Sequence, residues 1–292
     1  MNRVLNSTSV TLNDLPKYTN WVPYLLNLRD VGRELSKTPE NIQREYGIDK
    51  WGNLLATLKK NPHFKLQQTN EFIYGVNRPI AYSLQESLFI AELYSVQQEY
   101  FNLIQSTILP HVDSSASILE LGAGYGTMVL QLASNPHLKN VRFFATEYTE
   151  TGVECIRLLA ERENLSIKAS LGDINQLDLT DVDIPSNTVI FTSWVMGYLK
   201  GFPKLALEEL IAHKPKIVIH IEPIFEHWCN HNSLLHLLWQ RYSQLNDYNQ
   251  TMLTDLKTYE ARGLIQIVDE AANVCGLNPL APVSIIKWKA AA

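Results

Sequence analysis

The stretch Ser117-Ile118-Leu119-Glu120-Leu121-Gly122-Ala123-Gly124-Tyr125-Gly126 decides the fold. An apolar run of strand length leads into three glycines at alternate positions, and a helical pattern (Met128, Val129, Leu132) starts at once. Glycine there permits a tight turn and lets a ligand approach backbone that a side chain would shield. Such a turn gains weight only from its context, a strand before it and a helix after it, and both are present.

Downstream of this turn, short apolar runs recur at 142–146, 167–171, 188–192, 217–221, 264–268 and 283–288, after the first at 118–121. Helical patterns separate the first five runs, which predicts a parallel sheet covered on both faces. The last two lie close together around a Gly276–Pro282 turn and are expected to pair antiparallel. The fold expected is α/β, a Rossmann-like, seven-stranded, mostly parallel sheet with an antiparallel last strand.

Upstream the pattern is helical. Thr38-Pro39-Glu40 is a helix start, with a capping hydroxyl, proline in the first turn and an early acid. A short helix is expected from Trp51 to Lys60, stopping at Asn61-Pro62. Ser83-Leu84-Gln85-Glu86 reads as a capping box, followed at mostly helical spacing by Leu84, Leu88, Ala91, Val96, Tyr100, Leu103 and Ile104 as far as Pro110. The expected division is a helical N-terminal cap over 1–110, the α/β domain over 111–289, and a three-alanine cloning remnant at 290–292.

Polar residues fall at the ends of successive strands. Glu147, with Tyr148 beside it, ends the second strand about twenty residues beyond the glycine turn, where an acid can bind both ribose hydroxyls. Asp173, next to Ile174, ends the third and can accept a hydrogen bond from an adenine amino group. Thr192 and Ser193 end the fourth, at the carboxyl edge where open α/β sheets bind ligands. A dinucleotide-binding turn fits less well. It needs G-x-G-x-x-G to seat a pyrophosphate, whereas here Gly126 comes one position early and Glu120 would repel a phosphate.

Glu120-x-Gly122-x-Gly124-x-Gly126, Glu147, Gly172-Asp173-Ile174 and the segment 191–198 resemble the successive motifs of class I S-adenosylmethionine (SAM)-dependent methyltransferases, over roughly 117–288. The resemblance implies that Glu120, Gly122, Gly124 and Gly126 line the methionine end of SAM, that Glu147 holds its ribose, and that Asp173 with Ile174 frames its adenine. It implies methyl transfer to a nitrogen or oxygen of a small metabolite. Two alternatives stand beside it: aminobutyrate chemistry like that of azetidine carboxylate synthases, which releases methylthioadenosine, and a non-catalytic SAM-binding subunit.

The acceptor should meet residues beyond strands four and five. His220-Ile221-Glu222-Pro223-Ile224-Phe225-Glu226-His227-Trp228-Cys229-Asn230-His231 is dense in ionisable and aromatic groups. Glu222 is the first candidate to take a proton from an amine, His227 the second, and Tyr198 with Trp194 could contact acceptor or sulfonium. In the cap, Phe72, Tyr74, Asn77, Arg78 and Tyr82 cluster, and the Arg78 fork suits a carboxylate of SAM or substrate. His227 and His231 with Glu222 make a weak metal pattern, so no metal is expected.

Composition narrows the partners. The 292 residues are 46% hydrophobic and 19% charged, with a formal net charge of −5 and no lysine-arginine block. That argues against a nucleic-acid surface and for a small-molecule acceptor, with the acidic loop favouring an amine. Cys155, Cys229 and Cys275 are scattered, as in a reducing cytoplasm, and no run reaches membrane-span length. A homo-oligomer stays open.

Overall fold

The computed structural model describes residues 6–32, 35–75, 78–179, 182–229 and 231–291. All seven expected strands form: β4 (Ser117–Leu121), β5 (Arg142–Glu147), β6 (Ile167–Leu171), β7 (Thr188–Ser193), β8 (Ile217–Pro223), β9 (Ile265–Gly276) and β10 (Val283–Ala290). Three more precede them, β1 (Thr8–Val10), β2 (Pro79–Leu84) and β3 (Ser87–Glu92). The single sheet runs β1-β3-β2-β9-β10-β8-β7-β4-β5-β6. The expected seven strands are contiguous in it, but the sheet has ten strands and is not mostly parallel. Only β8-β7-β4-β5-β6 pair in parallel, and every pairing from β8 outward to β1 is antiparallel.

The inner parallel strands read as apolar runs because both faces are covered, whereas the edge strand β6 leaves Lys168 and Leu171 exposed. Every residue of β4 is buried. Leu119, Leu121, Ile190 and Val218 pack with the helices Lys204–His213 and Met252–Ala261 in one core. Ile118, Ala145, Val189 and Ile219 pack in another with Tyr100, Ile104 and Ile108 of the helix Leu93–Ile108. The third and fourth expected strands, β6 and β7, are joined without an α-helix among the described residues; the link there is the 3-10 turn Ile174–Gln176. Ala290, placed in the expected remnant, pairs with Ile265 as the last residue of β10.

The N-terminal segment is not purely helical. Thr38 caps the first turn of Pro39–Ile42 as expected, its side chain accepting the Asn41 N–H, and Trp51–Lys60 is a helix. The capping box at Ser83 does not form. Ser83 and Leu84 finish β2, Gln85 and Glu86 make a two-residue turn with φ of 46° and 66°, and Leu84 pairs with Ser87 in β3. Neither turn residue is the glycine or asparagine that such turns favour, so nothing local announces the hairpin. What fixes it is non-local: β2 adds to β9 through Ser83↔Gly276 and Leu84↔Cys275, and β3 accepts β1. The helix starts only at Leu93, so Val96, Tyr100 and Ile104 lie on it whereas Leu84, Leu88 and Ala91 belong to the hairpin.

The helices Trp51–Lys60 and Leu66–Tyr74 dock on the helix Glu150–Glu163 through specific hydrogen bonds. The Arg162 guanidinium donates to the carbonyls of Leu58, Asn61 and Phe64 at 2.9, 3.2 and 2.8 Å, satisfying groups a helix end leaves open. Glu163 accepts the Leu66 N–H at 2.7 Å, at the start of the second helix. No helix among the described residues is long and apolar enough to cross a membrane.

Candidate functional site

A cavity of about 810 Å³ opens at the carboxyl ends of β4, β5, β6 and β7. The chain leaves β4 toward β5 and β6 on one side and returns to β7 on the other, which makes the crevice at β4 the switch point where such sheets bind ligands. A cavity of this size fits a drug-sized or cofactor-sized ligand.

Its floor is the glycine turn. Gly122 and Gly124 have φ of 70° and 59°, the left-handed region that other residues seldom adopt. A Cβ on Gly122 would lie 2.4 Å from Val195 Cγ2, and one on Gly124 would lie 3.0 Å from Trp51 Cζ2. The turn is therefore packed from above by the β7 exit and by the cap.

Three carboxylates at the carboxyl ends of three strands line the cavity: Glu120, Glu147 and Asp173. Glu120 is buried; its Oε2 accepts the Val129 N–H at 2.9 Å, and burial pushes its carboxyl up to about 8. Glu147 is buried too, which raises its carboxyl, while the N–H groups of Gly124 and Thr149 and the Thr149 hydroxyl, at 3.0, 3.1 and 2.8 Å, favour the ionised form. Asp173 Oδ1 accepts the Asn175 N–H at 2.9 Å and so caps the following turn. Tyr148, Ile174 and Ser193 also line the cavity, and Ser193 Oγ lies 2.8 Å from the Tyr100 hydroxyl.

Two expected cofactor residues lie elsewhere. Gly126, at φ 84°, is the N-cap of the helix Thr127–Ala133 and faces Ile156, not the cavity. Arg78 is exposed just before β2 and does not line the cavity. Of its expected neighbours, only Tyr74 reaches the cavity; Phe72 is exposed, Tyr82 packs with Ala91 and Val96, and Asn77 lies outside the described residues.

The residues expected to do chemistry separate in the same way. Tyr198 lines the cavity, and its hydroxyl accepts a hydrogen bond from Tyr46. Glu222 does not line it. Fully buried in β8, it accepts the Val195 N–H at 3.1 Å, with the amides of Trp194 and Met196 and the Thr192 hydroxyl also favouring its charge, while burial pushes its carboxyl up to about 7. It thus underpins the β7 exit, where Trp194 takes a left-handed φ of 59°. His227 is also committed elsewhere: Nδ1 lies 2.7 Å from Ser284 Oγ and Nε2 2.9 Å from Glu270, in a separate depression. His220 is a buried structural histidine. Its Nε2 accepts the Trp288 N–H at 2.9 Å, which leaves Nδ1–H for Thr192 at 2.9 Å, and burial pulls it down to about 3.

The opposite wall comes largely from residues the motifs do not include. Lys37, Tyr46 and Trp51 of the cap face Ser193, Trp194 and Tyr198, with Leu277 and Asn278 from the β9–β10 connection. Lys37 Nζ stands 5.0 and 5.5 Å from the ring centroids of Tyr198 and Tyr248 and 3.6 Å from Glu45, and burial pulls its ammonium down. Tyr46 lies in the π-helical turn Gln43–Lys50, a form often found at functional sites. Burial raises the hydroxyls of Tyr46 and Tyr198 above their usual range. Four large aromatics, Tyr46 and Trp51 in 43–51 and Trp194 and Tyr198 in 194–198, were the available signal, but only the fold joins them.

Solved structures of similar shape include an S-adenosylmethionine-dependent methyltransferase from Clostridium acetobutylicum (TM-score 0.48, 10% identity, 67% of this chain and 92% of that one). Another is the plantazolicin methyltransferase in complex with SAH (TM-score 0.47, 13% identity, 86% and 96%). A third comes from work on the conversion of a disulfide bond into a thioacetal group during echinomycin biosynthesis (TM-score 0.45, 12% identity, 66% and 81%). No family model and no curated protein matches the chain.

Proposed function

We propose that the chain is a SAM-dependent transferase that methylates a nitrogen or oxygen of a small molecule. The observation that carries this is the convergence of Glu120, Glu147 and Asp173 on one cavity floored by the turn Gly122–Gly124, whose glycines carry no side chain of their own into it. The donor set suits SAM: carboxylates for its ammonium and ribose hydroxyls, an acid beside an apolar wall at Ile174 for its adenine, and, among the described residues lining the cavity, no cation besides Lys37 and Lys200. Bound there, SAM supplies an electrophilic methyl group on a sulfonium.

The chain's own residues then have to position an acceptor and keep water out. Among the described residues lining the cavity, every carboxylate lies at the β4, β5 and β6 ends, so none is free on the Lys37–Tyr198 side. The Tyr46 and Tyr198 phenols bond to each other and resist ionisation, which suits them to orient an acceptor and not to deprotonate it. Such a wall favours an acceptor that brings its own lone pair, a neutral amine first. Glu222 belongs to this mechanism as a support for the Trp194–Met196 segment and not as the base.

Incubation with SAM and a panel of small amines, read by mass spectrometry, tests the proposal. S-adenosylhomocysteine with a methylated amine is the expected result. Methylthioadenosine would replace methyl transfer with aminobutyrate chemistry, and SAM binding without either product would leave a binding protein.

A further inference from the structure

The sequence pairs His227 with His231, but the fold parts them. His227 turns to Ser284 and Glu270, whereas His231 stacks on His236 with ring centroids 4.4 Å apart and planes 20° apart. Beside this pair stands Glu86, the second residue of the β2–β3 turn. Ligand atoms of Glu86, His231 and His236 all lie within 4.8 Å of one another, away from the cavity described above.

We propose that Glu86, His231 and His236 form a binding site for a divalent transition-metal ion of the zinc type. His236 carries the argument furthest. Its side chain is buried, and its Nδ1 lies 2.5 Å from Ser233 Oγ, the hydrogen bond that would leave the lone pair on Nε2. Nε2 makes no hydrogen bond among the described residues, a costly state for a buried polar atom. Glu86 Oε1 lies 3.5 Å away, long for a hydrogen bond. Two ligand atoms each roughly 2.0–2.2 Å from a tetrahedral zinc stand about 3.4 Å apart, so this is the spacing of neighbours around an ion.

The surrounding groups are those a metal site needs behind its ligands. Ser233 fixes the His236 ring. Asn273 Nδ2 donates to Glu86 Oε1 at 2.9 Å, while Asn273 Oδ1 accepts the Trp228 indole N–H at 2.8 Å, so the carboxylate is held from below. Glu86 and His231 are exposed, which gives an ion a way in. The stacked His231 ring must turn to aim a nitrogen at the ion, and its exposed position in the connection before Leu234–Leu245 allows that. Two imidazoles and one carboxylate select Zn²⁺, Co²⁺ or Ni²⁺ over Mg²⁺ or Ca²⁺, which prefer oxygen. A bound ion would fasten the β2–β3 turn to the helix Leu234–Leu245. Among the described residues, β2 pairs with β9 at two positions, Ser83↔Gly276 and Leu84↔Cys275.

The test uses the full chain stripped with a chelator and titrated with Co²⁺ and Zn²⁺. One equivalent of Co²⁺ should bind with the intense visible absorption of a tetrahedral site, Zn²⁺ should displace it, and saturating Zn²⁺ should raise the melting temperature. Glu86→Gln and His231→Ala, both at exposed positions that should leave the fold intact, should each weaken binding by at least about 10-fold, and His236→Ala by more. His227→Ala should bind as the parent does. An absence of stoichiometric binding, or one-equivalent binding that survives both Glu86→Gln and His231→Ala, overturns the assignment and leaves Glu86 and His236 as an ordinary ion pair.

Discussion

At one end of the cavity, Glu120, Glu147 and Asp173 sit at the carboxyl ends of three neighbouring parallel strands, each reaching the site at an edge fixed by its own strand. At the other end, Lys37, Tyr46, Tyr198 and Asn278 come from a cap turn, a π-helical segment, the exit of β7 and the β9–β10 connection. The first wall repeats one device, an acid within two residues of the carboxyl end of a parallel strand. The second is assembled by contact between segments far apart in sequence, through the packing of Trp51 on Gly124 and the hydrogen bond between Tyr46 and Tyr198. The difference predicts that substitutions at the strand ends change cofactor affinity, while those in the cap change turnover at constant affinity.

The largest effect should come from Glu147. Its carboxylate already accepts three hydrogen bonds, from Gly124 and twice from Thr149, which hold it in place for two ribose hydroxyls. Losing a charged hydrogen-bond partner costs about 1.5–3 kcal/mol, so Glu147→Ala should weaken SAM binding about 10- to 100-fold by calorimetry. Affinity unchanged in this variant would break the contrast between the two walls at its stronger side.

Glu120 makes the contrast pH-dependent. With its carboxyl at about 8 in the folded protein against the usual 4.5, it is largely protonated at neutral pH before SAM binds. An ammonium group favours the ionised form, so affinity should rise with pH from 6 to 8 by up to about tenfold per unit and then level off. Stability of the unliganded protein moves the other way. The folded state holds the proton more tightly than the unfolded state, so this group's contribution is full below 4.5 and is lost as pH climbs to about 8. Glu120→Gln should flatten both profiles; a SAM affinity in the parent that ignores pH across this range would remove Glu120 from the ammonium's surroundings.

On the other wall, Tyr46→Phe deletes the hydroxyl that donates to Tyr198 and leaves the ring against Trp51. A net hydrogen bond is worth about 1 kcal/mol, so kcat/KM for the acceptor should fall about 5-fold while the Kd for SAM stays put. A matching loss in SAM affinity would show that the cap grips the cofactor as well.

The same division explains what could be read from the chain alone. The inner parallel strands β4, β7 and β8 announce themselves as apolar runs because both faces are buried, and Glu147 and Asp173 were legible because position at a strand end is a local property. The hairpin at Pro79–Glu92 was not. Ser83-Leu84-Gln85-Glu86 satisfies a capping box as well as it satisfies a strand end, and only pairing with β1 and β9 decides between them. Glu222, outside the cavity lining, differs from the strand-end expectation for a related reason. An acid at the end of β8 lies in the right strand position, but the β7 exit folds over it, and the Val195 N–H donates to its Oε1 at 3.1 Å while the whole carboxyl is buried outside the cavity. Lys37 and Tyr46 carried no strand-end signature: Lys37 is held by its N–H donating to Asp247 at 3.0 Å, and the segment of Tyr46 by Thr151 of the helix Glu150–Glu163 donating to the Gly47 carbonyl at 2.8 Å.

Glu222→Gln gives the smallest effect on turnover and the sharpest test of where the two walls meet. The fully buried carboxyl sits at about 7 because desolvation outweighs the amides of Trp194, Val195 and Met196 and the Thr192 hydroxyl that favour its charge. Glutamine has nearly the same shape and keeps a carbonyl oxygen for the Val195 N–H, so the β7 exit should hold and turnover should stay within about 3-fold of the parent. A general base would be missed far more, by about 10²–10⁴-fold. Stability supplies a second readout with a definite sign. In the parent this group's contribution is present below 4.5 and is lost as pH rises toward 7, because the folded state must then bury a charge that the unfolded state solvates. Glutamine carries no such charge, so the difference in melting temperature between variant and parent should shift in the variant's favour from pH 5 to pH 8. If turnover instead collapses by 100-fold or more while SAM affinity and the melting profile stay as in the parent, Glu222 reaches the acceptor after all, and the β7 exit must move aside to admit it.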